Sequence, residues 1–249
     1  MNAKFNLLLD DEEFFNEESF FIAGQKTYNS IKKRTLSNLI ELIDKKIIDG
    51  NALQDMWFPE EFMNNEKFIF ISHSHADEKL AIKLAGYLNQ TFGIYSFIDS
   101  CVWHNGDDLK KQLNDCDYNG YNICHSCGCD GFSYNLSCVH MMLSSALAKM
   151  IDKCECIFFL NTPSSINLNK KTESPWIYYE LNIADLVQKR KKVESLLLEY
   201  RYPFQVIEFT PKLEGMIDVN ADVLRKWEQA YDLYGGDPYM VLYRICGGD

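Results

Sequence analysis

The sequence lacks any surplus of cations. Asp and Glu number 36 against 25 Lys and Arg in 249 residues, a formal charge of −11, and the isoelectric point is near 5.0. Nucleic-acid affinity rests largely on clustered Lys and Arg, so a phosphate-tracking surface is excluded as the organising feature. The single dense basic run, Lys189-Arg190-Lys191-Lys192, falls at the end of an expected helix, where cations complement the helix dipole. Long apolar runs are also missing: none approaches the roughly 18 residues of a membrane span. Met1-Asn2-Ala3-Lys4-Phe5 has no apolar leader core, and residues 10–13 are all acidic, so no secretory signal is expected. The nine cysteines are odd in number and unevenly spaced. Without an export signal they read as reduced thiols rather than a disulfide framework, and a cytoplasmic location is expected.

What is present is an ordinary globular composition, 47% apolar, 24% charged and 14% aromatic, on a length that allows one large α/β domain with extensions. Residues 1–65 alternate acidic and apolar patches and read as a mostly helical extension. Its clearest helical stripe is Leu36, Leu39, Ile40, Ile43 and Ile47, before Gly50. The main domain is expected over 66–212, with a cysteine-rich insertion at about 110–136. It opens on Phe68-Ile69-Phe70-Ile71, an apolar run ending in Ser72-His73-Ser74-His75, the pattern of a buried strand reaching a polar edge. Ser74-x-x-Asp77 resembles a capping box, and a helix follows through Leu80, Leu84, Ala85 and Leu88 to Gly93. Tyr95 to Asp99 reads as a second strand, Val139 to Ile151 as a helix, and Cys156 to Leu160 as a third strand. Phe204 to Phe209 reads as another strand. The region 213–249 reads as a helical pair, one capped by Asn220 and the other opened by Asp237-Pro238.

The stretch Ser174-Pro175-Trp176-Ile177-Tyr178-Tyr179-Glu180-Leu181 opens a further helix, with Ser174 as N-cap and Pro175 at the first helical position. Ile177, Leu181 and Ala184 form its core stripe. Glu180 is out of place, because it shares a second stripe with Trp176, Ile183 and Val187. A carboxylate between the wet and dry faces is a candidate for chemistry, although the local pattern alone favours a partly exposed glutamate beside a boundary tryptophan. Alternating strands and helices predict parallel strands with right-handed crossovers. In the open order 2-1-3-4-5 the first and third strands are neighbours, and the ligand crevice opens at their carboxyl ends. Ser72 and His73 would then meet the helix carrying Trp176 and Glu180.

Cys116, Cys124, Cys127, Cys129, Cys138 and His140 crowd the insertion. Cys124-x-x-Cys127 has zinc-knuckle spacing, but Cys127-x-Cys129 and Cys138-x-His140 are too tight for the usual second pair. No metal is expected.

These residues resemble the Toll/interleukin-1 receptor (TIR) domain family. Phe68 to Ser74 with Asp77 is similar to its box 1. Phe97-Ile98-Asp99 and the following loop, with Gly106 and Asp108-Leu109, are similar to its second strand and BB loop. Leu143 to Ile151 followed by Cys156 to Leu160 resembles the helix and strand preceding its αC region. Ser174 to Leu181 resembles its Ser-x-Trp-x-x-x-Glu-Leu element. The likeness covers about residues 66–210 and is greatest to bacterial stand-alone TIR-like proteins. It implies a flavodoxin-like fold and cleavage of the nicotinamide–ribose bond of NAD+, giving ADP-ribose or a cyclic product. Glu180 is then the catalytic residue. Ser72, His73, Asp99, Trp103 and Trp176 border the substrate, which is NAD+ itself with no further cofactor. Homo-oligomeric assembly and a role in antiphage defence or signalling are also implied. The chemistry is compatible: nicotinamide leaves as a neutral base, so the ribose oxocarbenium is what needs stabilising, and a carboxylate beside it suffices. Alternatives remain. His73 and His75 fit a solvent-facing turn as well as ligand contact. Trp103 fits a packing anchor, a lid or an oligomer contact. The whole domain fits a non-enzymatic interaction module, or a nucleoside-processing enzyme on a related fold.

Overall fold

The computed structural model describes residues 3–9, 18–29, 67–100, 131–192 and 211–247, without the side chains of 131–136, 138, 139 and 189–192. The chain is an α/β protein built on a five-stranded, all-parallel sheet flanked by helices, in keeping with a flavodoxin-like fold. The strands are β1 Ala3–Leu7, β2 Ile69–Ser72, β3 Ser96–Ile98, β4 Cys156–Leu160 and β5 Ile217–Val219. The helices are α1 over 18–29, α2 Glu78–Phe92, α3 Gly131–Lys153, α4 Pro175–Lys192, α5 Ala221–Tyr234 and α6 Pro238–Ile245. A 3-10 turn, His75–Asp77, precedes α2.

Across the sheet the order is β3-β2-β4-β1-β5. The expected adjacency of the strands ending at Ser72 and Leu160 holds, with Ser72 opposite Phe159. Two strands that the sequence reading does not mark fill the fourth and fifth places. β1 pairs with β4 from Ala3↔Cys156 to Leu7↔Leu160, and β5 pairs with β1. The N-terminal segment therefore lies within the sheet as well as carrying a helix. The stripe at 35–48, the Phe204 to Phe209 strand, Trp103 and the insertion up to residue 130 lie outside the described residues. The helix expected from Val139 begins at Gly131.

Side-chain alternation sorts the two faces. Phe5 packs edge-on to Phe158 and stacks on Tyr243 of α6, so that face lies under α5 and α6. Lys4, pointing the other way, reaches Asp185 of α4. Strands buried on both faces explain why β2 and β4 read as unbroken apolar runs. Helix α1 crosses α2 where Gly24 and Gly86 meet. A Cβ on Gly86 would lie 1.8 Å from the Phe20 carbonyl oxygen, and one on Gly24 1.9 Å from that of Ile82. Neither position accepts a side chain without moving a helix. The C-terminal pair is capped as expected: Asn220 accepts from the Val223 N–H and Asp237 from the Tyr239 N–H. Trp227 of α5 is fully buried, stacks on Phe92 at 3.9 Å, and donates its indole N–H to the Pro238 carbonyl.

Candidate functional site at the carboxyl edge

Strand β2 ends at Ser72 and is followed by His73, and β3 ends at Ile98 and is followed by Asp99 and Ser100. All four are buried. Helix α4 comes down on them from the loop after β4. Its start is set by Ser174, whose hydroxyl accepts the Ile177 N–H at 3.3 Å, and by Pro175 at the first position. Ile177, Leu181 and Ala184 are buried in the core as their spacing predicts. One turn into the helix, Glu180 is wholly buried, and the Ser72 hydroxyl donates to its Oε2 at 2.6 Å. Two residues 108 apart in sequence thus meet at the point where β2 and β4 lie side by side. This is the crevice of a doubly wound sheet, where the connections from adjacent strands leave in opposite directions.

The expectation of a partly exposed Glu180 is overturned. Its Oε1 meets no N–H or O–H donor among the described residues, and its neighbour is the Asp99 carboxyl. Two carboxyl groups at close quarters share a proton or repel. Burial first, and then the Asp99 charge, raise the Glu180 acidity constant well above the ordinary carboxylate range, and the Ser72 hydroxyl offsets this only in part. Both causes favour the protonated, neutral form of Glu180.

His73 does not lie on a solvent-facing turn. It is 4% exposed, and its Nδ1 lies 2.8 Å from Asp99 Oδ1. Burial pulls the His73 pKa down. The Asp99 charge and hydrogen bond, with lesser help from the Glu78 charge and the Ile71 carbonyl, outweigh it and leave the pKa raised. Its Nε2 has no partner among the described residues. His75 is on the exposed turn.

Trp176 is half-buried. Its ring packs edge-on against His140 of α3 at 5.7 Å and against Tyr179 at 6.5 Å, while the Tyr179 hydroxyl donates to the Ser144 carbonyl. These contacts fasten α4 to α3. Trp103 lies outside the described residues.

Two features of the edge escaped the sequence reading. Asp77 does not complete a capping box. Ser74 accepts the Ala76 N–H, while Asp77 Oδ2 accepts from Thr162 Oγ1 at 2.5 Å and Ser165 Oγ at 3.3 Å, tying the turn after β2 to the loop after β4. Ser100, 3% exposed, has a hydroxyl without a partner among the described residues. Its place directly after a strand-ending acid was the available signal. A surface groove of about 250 Å³ lies between α3 and α4, lined by Ala148, Lys149, Ile183 and Leu186. None of the carboxyl-edge residues borders it.

Among the described residues no group of three His, Cys, Asp or Glu side chains is placed to hold a metal. Cys154 and Cys156 are buried thiols, the former pushed up to about 12 by burial. Such thiols are unreactive. No described helix is long and apolar enough to cross a membrane. Fold and edge together define a doubly wound α/β protein with a buried Ser–Glu and His–Asp cluster at its switch point. No family profile, curated protein or solved structure matches the chain.

Proposed function

We propose that the chain is a TIR-like enzyme that cleaves the nicotinamide–ribose bond of NAD+, with Glu180 as the residue that meets the reacting ribose. The observation that carries this reading is the Ser72–Glu180 hydrogen bond. It joins the box 1-like strand end and the Trp-x-x-x-Glu-like helix, the two motifs on which the resemblance rests. A carboxyl group there can stabilise an oxocarbenium-like ribose, and low surrounding polarity strengthens that interaction. His73 and Asp99 border the ribose, and Ser72 orients Glu180. Because Glu180 is wholly buried, substrate reaches it only when the carboxyl edge opens. A cytoplasmic, homo-oligomeric protein acting in antiphage defence or signalling, either by consuming NAD+ or by making a nucleotide signal, is part of the same proposal.

The test is nicotinamide release from NAD+ by the full chain at high protein concentration, beside Glu180→Gln. Release by the wild type that is lost in the variant supports the reading. No release, or equal release from both, overturns it.

One observation favours a second reading. Glu180 is sealed, which would serve a non-enzymatic interaction module in which the cluster only fastens α4 to the sheet. That reading predicts a folded protein with no turnover.

A further inference from the structure

The carboxyl-edge cluster holds two buried carboxyl groups, Asp99 and Glu180, and one imidazole. Glu180 Oε2 takes the Ser72 hydroxyl, its Oε1 meets no donor, and no Lys or Arg pairs with it among the described residues. His73 is committed to Asp99 at 2.8 Å. The facing groups can be named by element. His73 and Ser72 come from β2, Asp99 from β3, Glu78 from the start of α2 on the His73 side, and Tyr179 beside Glu180 on α4. The His73 imidazole faces one carboxyl. The second, buried against a hydroxyl and another acid with no cation beside it among the described residues, favours its protonated form.

We infer that this corner is built to exchange a proton for a cationic ligand, an N-ribosylated pyridinium whose ring charge takes the place of the Glu180 proton. The exchange balances simply: the neutral carboxyl gives its proton to solvent, and the entering positive ring leaves the site's net charge unchanged. A buried carboxylate is costly without a partner of opposite sign and acceptable with one. The site then discriminates the oxidised nicotinamide from its neutral dihydro form by charge. It produces the ionised Glu180 needed beside an oxocarbenium only when the right substrate is present. The unpaired imidazole nitrogen of His73 and the Ser100 hydroxyl are polar groups for the ligand's uncharged parts.

This rests on the NAD+ reading above, and the test separates the two. Isothermal calorimetry of the full chain is run at pH 7.5 in phosphate and in Tris, which differ in ionisation heat. The probes are NADH and an uncleavable NAD+ analogue in which a methylene replaces the ribose ring oxygen. Expected is release of about one proton per analogue bound to the wild type and none on NADH binding. Glu180→Gln should bind the analogue at least tenfold more weakly with no proton release, and NADH unchanged. Analogue binding to the wild type without proton release overturns the exchange while leaving NAD+ as substrate. Binding of neither dinucleotide at millimolar concentration overturns both. Where the variant does not fold, the wild-type proton count decides.

Discussion

Helix α4 meets the sheet in two polar contacts five residues apart, one part-buried and one buried, and they are of opposite kinds. Asp185 meets Lys4 of β1 at 3.1 Å. The Lys4 side chain is fully buried, and its ammonium donates a second bond to the Glu214 carbonyl. Cation, carboxylate and carbonyl are matched, as a structural contact in low dielectric requires. Glu180 meets Ser72 of β2, and its neighbour Asp99 is another acid. There no Lys or Arg faces Glu180 among the described residues, and burial favours its protonated form. A structural pair is complete in the folded chain, whereas a group kept for chemistry is left with an open valence, and perturbed acids cluster at functional sites for that reason.

The strongest way to break the comparison is Glu180→Gln. On the proposed function, NAD+ cleavage falls by about a thousandfold, the scale of losing a principal electrostatic stabiliser, while the protein stays folded because glutamine has the shape of the neutral acid. Nicotinamide release and thermal unfolding on one preparation check both halves. Collapse of the fold instead would make Glu180 a structural contact like Asp185.

Lys4→Ala is the mirror experiment. Removing the buried cation takes the ammonium away from Asp185 and the Glu214 carbonyl and empties a packed position, so stability should fall by about 3 kcal/mol in denaturant unfolding. Cleavage per folded molecule should be unchanged, and replacing both partners by Met and Leu should recover most of the loss. A Lys4→Ala protein that loses turnover but not stability would reverse the assignment.

Ser72→Ala should cost about 1 kcal/mol of stability, the net worth of one buried hydrogen bond, and lower turnover about tenfold through a misplaced Glu180. Equal stability with unchanged turnover would show that the 2.6 Å contact positions nothing.

The smallest expected effect is the pH dependence of stability. Glu180 and His73 are both raised in the folded chain, so the folded state binds more protons than the unfolded chain above their ordinary values. The Glu180 contribution is therefore complete below about pH 4.5 and lost as pH rises towards its folded value. The His73 contribution is complete below about pH 6.5 and lost above it. Wild-type stability should decline from pH 5 to 9, and Glu180→Gln should flatten the slope. A wild-type profile that rises over this range would mean that Glu180 is ionised in the folded chain.

Local chemistry made much of the framework readable. Apolar runs such as Phe68 to Ile71 and Cys156 to Leu160 admit few other roles in a chain of this length. Ser174-Pro175, Asn220 and Asp237-Pro238 mark helix starts by their own hydrogen-bonding capacity. The meeting of Ser72 and His73 with the Glu180 helix was legible because parallel crossovers deliver strand ends to one edge, whereas Asp99 was placed there only by the resemblance. The edge-on contact between Trp176 and His140 was not legible, because His140 belongs to another helix. Asp77 misled because a local capping role and a bond to Thr162 use the same carboxylate.

By itself the sequence determined the parallel α/β layout, the strands ending at Ser72 and Leu160, the helix that bears Glu180, and the neighbourhood of the buried acids. These follow from periodicity and end signals that act within a few residues. Only the tertiary structure decided that Ala3-Lys4-Phe5-Asn6-Leu7 is an inner strand. Lys4 and Asn6 look solvated until Asp185, Asp218 and Asn161 arrive from far along the chain to satisfy them. It also decided that Glu180 is sealed rather than half-exposed. Burial of a polar group depends on partners that no local pattern can announce.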